Sequence, residues 1–172
     1  MITAWRLTRD LYHDQAMTGS GGLFAPGRWH TQGKRIIYSS SSLALATLEL
    51  FVNLQNKNQL ARYVKTRILI PEPLVTALAD EGLETFVRDP EGFDSRAYGD
   101  LWLEGQRSCV LAVPSRVVME ETNYLINPLH PAFAEITATT EPYRVDERLL
   151  SRSHQIDGHQ VQDAAAARPA AA

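Results

Sequence analysis

Three residues in the first fifty positions have side chains that could bind and cleave a charged substrate. Arg28 follows a glycine-rich run, Gly19-Ser20-Gly21-Gly22 and Pro26-Gly27. A guanidinium offers a planar fork for phosphate or carboxylate, and glycines allow close backbone approach. Tyr38 adds an aromatic ring and Glu49 adds a carboxylate. Together they could hold an anion, stack on a ring and stabilise a developing positive charge.

Glu49 is isolated among apolar residues. It is the only Asp or Glu between Asp14 and Glu72, and it lies in the segment Leu-Ala-Leu-Ala-Thr-Leu-Glu-Leu-Phe-Val at 43–52. A helix that is apolar on nearly all sides is expected to be buried. A carboxylate within it must be paired, protonated or facing a cleft. A structural ion pair with an arginine and an active-site role both remain open at this point.

Composition and charge narrow the class of protein. The 172 residues are 44% hydrophobic and 22% charged, which argues against a wholly disordered chain, a collagen-like repeat and a membrane protein. The single cysteine, Cys109, excludes an intramolecular disulfide. The net charge of −3 hides an asymmetry, because residues 1–70 carry a balance of +6 and residues 71–104 a balance of −7. The positive segment could hold an anionic ligand, but on charge alone a chance distribution of solvated charges is the favoured interpretation.

The pattern of elements predicts an α+β fold, because strands and helices do not alternate regularly. We expect one domain over residues 1–150 and a flexible tail over 151–172, where alanine dominates. The hydropathy pattern predicts a helix at 43–54 and a helical acidic stretch at 80–105, with strands at 35–39, 62–70, 109–113, 117–118, 124–126 and 143–145.

Several common motifs are absent. Phe24 stands where a dinucleotide-binding G-x-G-x-x-G turn needs its last glycine, and Arg28-Trp29 stands where a P-loop needs Lys-Ser/Thr. The five histidines lack metal-ligand spacing, so no metal is expected. Nothing resembles a helix-turn-helix or an RNA-binding sheet.

An ordered series of short motifs resembles the RES domain and covers about residues 3–150. No single motif is specific, but their order is. The family's arginine, tyrosine and glutamate match Arg28, Tyr38 and Glu49, whereas the family often has Asn where this chain has His30. The series comprises Trp5-Arg6-Leu7, Gly27-Arg28-Trp29, Ile37-Tyr38-Ser39-Ser40, Leu45-Ala46-Thr47-Leu48-Glu49, Gly99-Asp100-Leu101-Trp102-Leu103, Val113-Pro114-Ser115 and Asn123 to Pro131.

The resemblance implies a mixed sheet split around an NAD cleft, similar to the ADP-ribosyltransferase toxins. It also implies a toxin of a bacterial RES–Xre toxin–antitoxin system that degrades NAD at the nicotinamide–ribose bond, as a glycohydrolase or phosphorylase. The implied partner is an Xre-family antitoxin that covers the active site and binds DNA itself. We therefore expect a cytoplasmic protein with NAD as substrate and without direct nucleic-acid or membrane binding; homo-oligomerisation is left open.

Each candidate site residue has an expected role. Arg28 binds phosphate, Tyr38 stacks on the pyridinium ring, and Glu49 accepts a ribose hydroxyl and stabilises an oxocarbenium-like centre. Arg6 and Ser115 rank below them as substrate-binding residues, with an ion pair and a turn serine as their alternatives. Two other functions compete: ADP-ribosyl transfer to a protein, and a non-catalytic nucleotide- or protein-binding module in which Glu49 forms a structural ion pair.

Overall fold

One mixed sheet of seven strands organises the chain. The computed structural model describes residues 1–146 and Leu149, with the backbone alone described at 57, 58, 80 and 81. The strand order is β4-β5-β6-β2-β1-β3-β7, and only the β4–β5 pair is parallel. The strands are β1 Ile2–Arg9, β2 Ile37–Ser40, β3 Tyr63–Ile70, β4 Val75–Ala77, β5 Val110–Pro114, β6 Thr122–Ile126 and β7 Thr137–Pro142.

Four α-helices accompany the sheet within the described residues, so the predicted α+β class is confirmed. They are α1 Gly21–Phe24, α2 Leu43–Asn53, α3 Asp80–Arg88 and α4 Ser95–Gly105. Short 3-10 helices occur at Asp10–Gln15, Lys57–Arg62, Glu72–Leu74 and Pro131–Glu135.

The sheet splits between β1 and β2. β1 pairs with β3 along its whole length, from Ile2 opposite Ile70 to Arg9 opposite Tyr63. It pairs with β2 only where Trp5 lies opposite Ser40. Beyond this position the two strands diverge, and the gap between them becomes a cleft. This is the split, mixed sheet that the resemblance implies.

Two apolar clusters stabilise the two faces of the sheet. Successive residues of a strand point to opposite faces of the sheet, so they belong to different clusters. Leu111 and Leu125 belong to the first cluster, and their chain neighbours Val110 and Ile126 belong to the second. α3 and α4 cover the first face with Phe86, Trp102 and Leu103. Cys109 belongs to the second cluster and is fully buried, and burial raises the pKa of its thiol to about 11.

The central strands, α2 and the helical character of the acidic stretch agree with the hydropathy pattern, but two predicted strands are wrong. Val117-Val118 lies in a bend and not in a strand. The last strand is Thr137–Pro142 and not 143–145; all its residues are exposed, so no apolar alternation marks it. The acidic stretch forms two helices separated around Pro90, because proline disrupts an α-helix.

The prediction that α2 is buried is also wrong in part. Leu45 and Ala46 are buried, but Ala44, Leu48 and Val52 are exposed. These three residues are spaced by four positions and so share one side of the helix. α2 contacts β1 and β2 with its opposite side. Glu49 therefore lies at the edge of the buried side.

No helix among the described residues is long and apolar enough to cross a membrane. The tail predicted at 151–172 lies outside the described residues, and its role stays a prediction.

We predict that Leu125→Ala lowers the free energy of unfolding by about 2–5 kcal/mol, because it removes a fully buried side chain and leaves a cavity in the apolar cluster that α3 and α4 cover. Urea unfolding measures the change. The matched control is Leu129→Ala, whose side chain is 64% exposed and whose loss changes stability by less than about 0.5 kcal/mol. Equal effects of the two substitutions would contradict the described packing.

Candidate functional site

The cleft at the sheet split contains most of the residues singled out from the sequence. Its volume is about 280 Å³. β1 contributes Arg6, β2 contributes Tyr38, and α2 contributes Glu49, so three separate elements meet there. The lining residues are Trp5, Arg6, Leu7, Tyr38, Ser39, Ser40, Ala46, Glu49, Leu50, Asn53 and Asn123.

Two neutral donors hold the carboxylate of Glu49. The hydroxyl of Ser115 donates to Oε1 at 2.7 Å, and the amide Nδ2 of Asn123 donates to the same oxygen at 2.6 Å. Oε2 receives no hydrogen bond from the described residues, and no Lys or Arg of that part of the chain lies within 4 Å of the carboxylate. The structural ion pair considered from the sequence is therefore not what holds Glu49.

Both donors are themselves fixed in orientation. The hydroxyl of Ser115 accepts hydrogen bonds from the backbone N–H groups of Val117 and Val118, each at 3.0 Å, so its own hydrogen is left for Glu49. The hydroxyl of Ser40 donates to Oδ1 of Asn123 at 2.7 Å, which leaves Nδ2 to face the carboxylate. Ser115 is fully buried. It acts on Glu49 and does not line the cleft.

Helix α2 begins at a position that places Glu49 over these donors. Ser42 is the N-cap, and its hydroxyl oxygen accepts from the N–H of Leu45 at 3.0 Å. The same hydroxyl donates to Glu121, which precedes β6. The helix start is thereby tied to the strand that carries Asn123.

The hydroxyl of Tyr38, at the end of the ring opposite the backbone, is held by two neighbouring residues. The N–H of Trp29 donates to this hydroxyl at 3.1 Å, and His30 Nδ1 lies 2.8 Å from it. Burial raises the pKa of the phenol to about 12, so the group stays neutral at physiological pH. The loop that follows the glycine-rich run thus positions the ring of Tyr38.

Arg6 lines the cleft, and its guanidinium does not make all the hydrogen bonds that it could donate. Its Nη1 donates to the carbonyl oxygen of Tyr38 at 2.8 Å. Its Nε is buried and has no hydrogen-bond partner. Burial lowers the pKa of Arg6 to about 10, which leaves it protonated at neutral pH. An uncompensated buried cation of this kind is a favourable position for an anion.

Arg28 lies outside the lining of the cleft. Its side chain is 40% exposed, and its Nη2 lies 3.9 Å from Oε1 of Glu91, which also pairs with Arg116 at 2.5 Å. Arg28 precedes Trp29, whose N–H binds the hydroxyl of Tyr38. The structure therefore brings Arg6, Tyr38 and Glu49 into one cleft, Ser115 behind it, and Arg28 beside the hydroxyl edge of Tyr38.

Helix α4 clamps the loop that carries Arg28. Arg96 donates to the carbonyl oxygen of Gly27 at 2.8 Å, and Asp100 accepts from the N–H and hydroxyl of Thr31 at 3.0 and 2.6 Å. Lys34 and Glu104 form an ion pair farther along the helix. At Gly99 the helix packs so closely that a Cβ would overlap the carbonyl oxygen of Trp29.

The sequence interpretation missed Asn123 and Ser40 as site residues. The stretch from Asn123 to Pro131 reads as structural, and for Asn127 this is right, because its amide binds the backbone of Leu103 and Leu129. Asn123 instead binds Glu49. The sequence signal that could have identified Asn123 is a polar amide in a mainly apolar strand. Only the tertiary structure, in which Asn123 lies opposite Ser40, shows which groups the amide contacts.

Comparison with models of known protein families identifies the family of this chain. The model described as "RES domain" matches residues 3–146, so the chain belongs to the RES domain family. The resemblance recognised from the ordered motifs is confirmed.

Individual relatives agree with this assignment. The "Prs ADP-ribosylating toxin" of Sphingobium sp. (strain YBL2) is 34% identical over 160 residues, which are 87% of this chain and 97% of that protein. A "Toxin Res" of Yersinia enterocolitica serotype O:8 / biotype 1B is 32% identical over 148 residues, 84% of this chain and 97% of the relative.

A solved structure shares the fold. The crystal structure of the M. tuberculosis MbcT-MbcA toxin–antitoxin complex contains a chain that matches with a TM-score of 0.64. The match covers 81% of this chain and 84% of that one, at 17% sequence identity. This likeness supports the split-sheet architecture described above.

We predict that Gly99→Ala lowers the free energy of unfolding by about 2 kcal/mol or more, because its Cβ meets backbone that cannot move without shifting the loop. The control on the same helix is Gly105→Ala, where a Cβ would lie 3.7 Å from Arg107, an ordinary contact. Gly105→Ala is expected to leave stability unchanged or raise it by up to about 1 kcal/mol. Urea unfolding of both variants measures the difference, and equal stability would rule out the close packing of α4 on Trp29.

Proposed function

We propose that this chain is the toxin of a toxin–antitoxin pair and that it consumes NAD by cleaving the bond between nicotinamide and ribose. The observation that carries the proposal is the carboxylate of Glu49, held by Ser115 and Asn123 in a cleft that Arg6 and Tyr38 also line. A carboxylate, a cation and an aromatic ring match the three parts of the substrate: ribose, pyrophosphate and pyridinium.

The relatives support the biological role. Proteins named as toxins align with nearly their whole length to this chain, and one of them is named as ADP-ribosylating. Because ADP-ribosylation uses NAD as donor, this name also supports NAD as the substrate of this chain.

The cleft accepts the nicotinamide riboside half of NAD in our proposal. Its volume of about 280 Å³ is at the small end of ligand pockets, so the adenosine half extends outside it. The ring of Tyr38 offers a face for the pyridinium, and cation–π attraction contributes about 0.5–2 kcal/mol. The hydroxyl of Tyr38 is occupied by Trp29 and His30, so its contribution comes from the ring and not from proton transfer.

Glu49 acts on the bond that breaks. The C–N bond leaves its electron pair on nicotinamide, which departs as a neutral molecule, and the anomeric carbon becomes oxocarbenium-like. The carboxylate stabilises this positive charge through space, as in glycoside hydrolysis. Oε1 is held by two donors, so Oε2 is the oxygen available to a ribose hydroxyl. Water then attacks the anomeric carbon and releases a proton.

The two arginines divide the binding of phosphate. Arg6 contributes its guanidinium, which lines the cleft. Arg28 lies at the rim beside Tyr38, where the pyrophosphate emerges in our proposal, and it exchanges the distant carboxylate of Glu91 for a phosphate oxygen. Bonds between guanidinium and phosphate are charge-assisted and therefore among the stronger hydrogen bonds.

ADP-ribosyl transfer to a protein is the second candidate, and the name of the Sphingobium relative favours it. The chemistry up to nicotinamide release is shared, and only the acceptor differs. NAD labelled in the adenylate part distinguishes the outcomes: free ADP-ribose indicates hydrolysis, ADP-ribose 1″-phosphate indicates phosphorolysis, and label on a protein indicates transfer.

We also propose that an Xre-family antitoxin covers the cleft. The neighbour of shared fold is part of a toxin–antitoxin complex, which supports a protein partner for this chain. Co-expression with the product of the adjacent gene tests it: the expected result is a stable complex that releases no nicotinamide. A complex with full activity would refute coverage of the cleft.

We predict that Glu49→Gln lowers the rate of nicotinamide release by about 100-fold or more, because the neutral amide no longer stabilises the oxocarbenium-like centre. Gln keeps an oxygen that can accept from Ser115 and Asn123, so the fold is retained and thermal unfolding verifies it. The matched control, Glu120→Gln, changes an exposed turn residue and keeps full activity. Retained toxicity of Glu49→Gln in cells would favour the non-catalytic binding module.

We predict that Arg28→Ala weakens NAD binding about tenfold or more, the effect of losing one hydrogen bond to a charged group. Calorimetric titration of NAD into a Glu49→Gln background measures affinity without turnover. The control is Arg107→Ala, which removes an exposed arginine just after α4. Unchanged affinity after Arg28→Ala would contradict the phosphate contact.

A further inference from the structure

His30 is buried in the loop between α1 and β2 with both ring nitrogens engaged. It is 3% exposed. Its Nδ1 lies 2.8 Å from the hydroxyl of Tyr38, and its Nε2 lies 3.2 Å from the carbonyl oxygen of Ala25. The rings of His30 and Tyr38 are tilted by 52°, with centroids 5.6 Å apart.

The surrounding donors and acceptors select one tautomer. A carbonyl oxygen can only accept, so Nε2 of His30 carries a hydrogen and donates it to Ala25. The N–H of Trp29 already donates to the hydroxyl oxygen of Tyr38. The hydroxyl hydrogen of Tyr38 is therefore free to be donated, and the lone pair on Nδ1 of neutral His30 accepts it. Every group in this chain of bonds is satisfied only when His30 is neutral.

Two glycines provide the space for this arrangement. A Cβ at Gly27 would lie 2.6 Å from the Tyr38 hydroxyl and 2.7 Å from Nδ1 of His30. A Cβ at Gly22 would lie 2.8 Å from Nε2 of His30. Neither glycine has a positive φ, so the backbone conformation does not require glycine at these positions. The two glycines therefore enclose an imidazole.

We propose that neutral His30 is a positioning residue for Tyr38, which holds the aromatic ring in the orientation that the cleft presents to the substrate. This inference rests on the proposed function of Tyr38 in binding the pyridinium ring. Protonation of His30 turns Nδ1 into a donor. The hydroxyl of Tyr38 then loses the acceptor for its hydrogen, and the cost of this unsatisfied buried donor favours a different position of the ring.

The charged groups around His30 give the direction of the pH dependence. Desolvation by burial is the largest influence and lowers the pKa of His30, with a smaller contribution in the same direction from Arg96 on α4. The bond to Ala25 and the charge of Asp100, also on α4, raise it. Tyr38 on β2 is neutral, and Arg28 on the same loop lies near its hydroxyl. The net lowering favours the neutral ring at physiological pH, so the arrangement is lost only as the pH falls below the ordinary histidine value of about 6.5.

The test compares two substitutions of His30 across pH 5–8, with nicotinamide release from NAD as the readout. His30→Asn keeps a side-chain oxygen near the position of Nδ1 and does not titrate. We expect it to retain activity near pH 7.5 and to shift the acid limb of kcat/KM to lower pH. His30→Ala removes the acceptor and is expected to lower kcat/KM about 10- to 100-fold, the scale of a displaced binding group. His13→Asn changes an exposed histidine and leaves the whole profile unchanged.

Two results would overturn the inference. One is an acid limb in His30→Asn identical to that of the unsubstituted protein. The other does not depend on activity and comes from nitrogen NMR of the folded protein at pH 7.5. The proposal requires a hydrogen on Nε2 of His30 only, so a hydrogen found on Nδ1 would contradict it. An unsubstituted protein that consumes no NAD, together with the expected tautomer, would instead refute the proposed function and leave His30 as a structural support of Tyr38.

Discussion

The hydrogen bond from Arg6 to the carbonyl oxygen of Tyr38 joins β1 to β2 where their regular pairing has stopped. Backbone groups at a buried strand edge must find partners, and here a guanidinium supplies one in place of a ladder bond. One side chain therefore both holds the sheet together and faces the gap between the strands. The gap is the cleft, and Arg6 carries its positive charge into it.

The rest of the site depends on side chains that hold other side chains. Tyr38 is held at its hydroxyl by Trp29 and His30, and Glu49 is held by Ser115 and Asn123. His30, Ser115 and Asn123 each have a second partner, so their orientations are defined before any ligand arrives. Preorganised dipoles of this kind stabilise charge without the cost of reorganisation during a reaction. Helix α4 completes the arrangement because it fixes the loop that carries Arg28 and His30.

Much of the fold could be predicted from local patterns, and the failures have a common cause. The strands at the sheet centre have buried apolar residues, so their hydropathy marks them. β7 has none, since all six of its residues are exposed at the edge of the sheet, and its existence depends on pairing with β3. The burial of α2 was overestimated for the same reason: apolar composition does not show which side a helix turns toward the sheet. The single apolar stripe of Ala44, Leu48 and Val52 remains exposed.

The sequence by itself determined the class of the protein and the residue types of the site, because ordered motifs and an isolated glutamate are properties of the chain. It indicated Arg28, Tyr38 and Glu49 as candidate site residues and showed that residues 1–70 carry a net positive charge. Only the tertiary structure decided the partners of these residues. Asn123 and Ser115 are far from Glu49 in sequence, and His30 meets Tyr38 only because Gly22 and Gly27 leave room for its ring. Hydrogen bonds depend on distance and angle in space, and local sequence patterns do not contain that information.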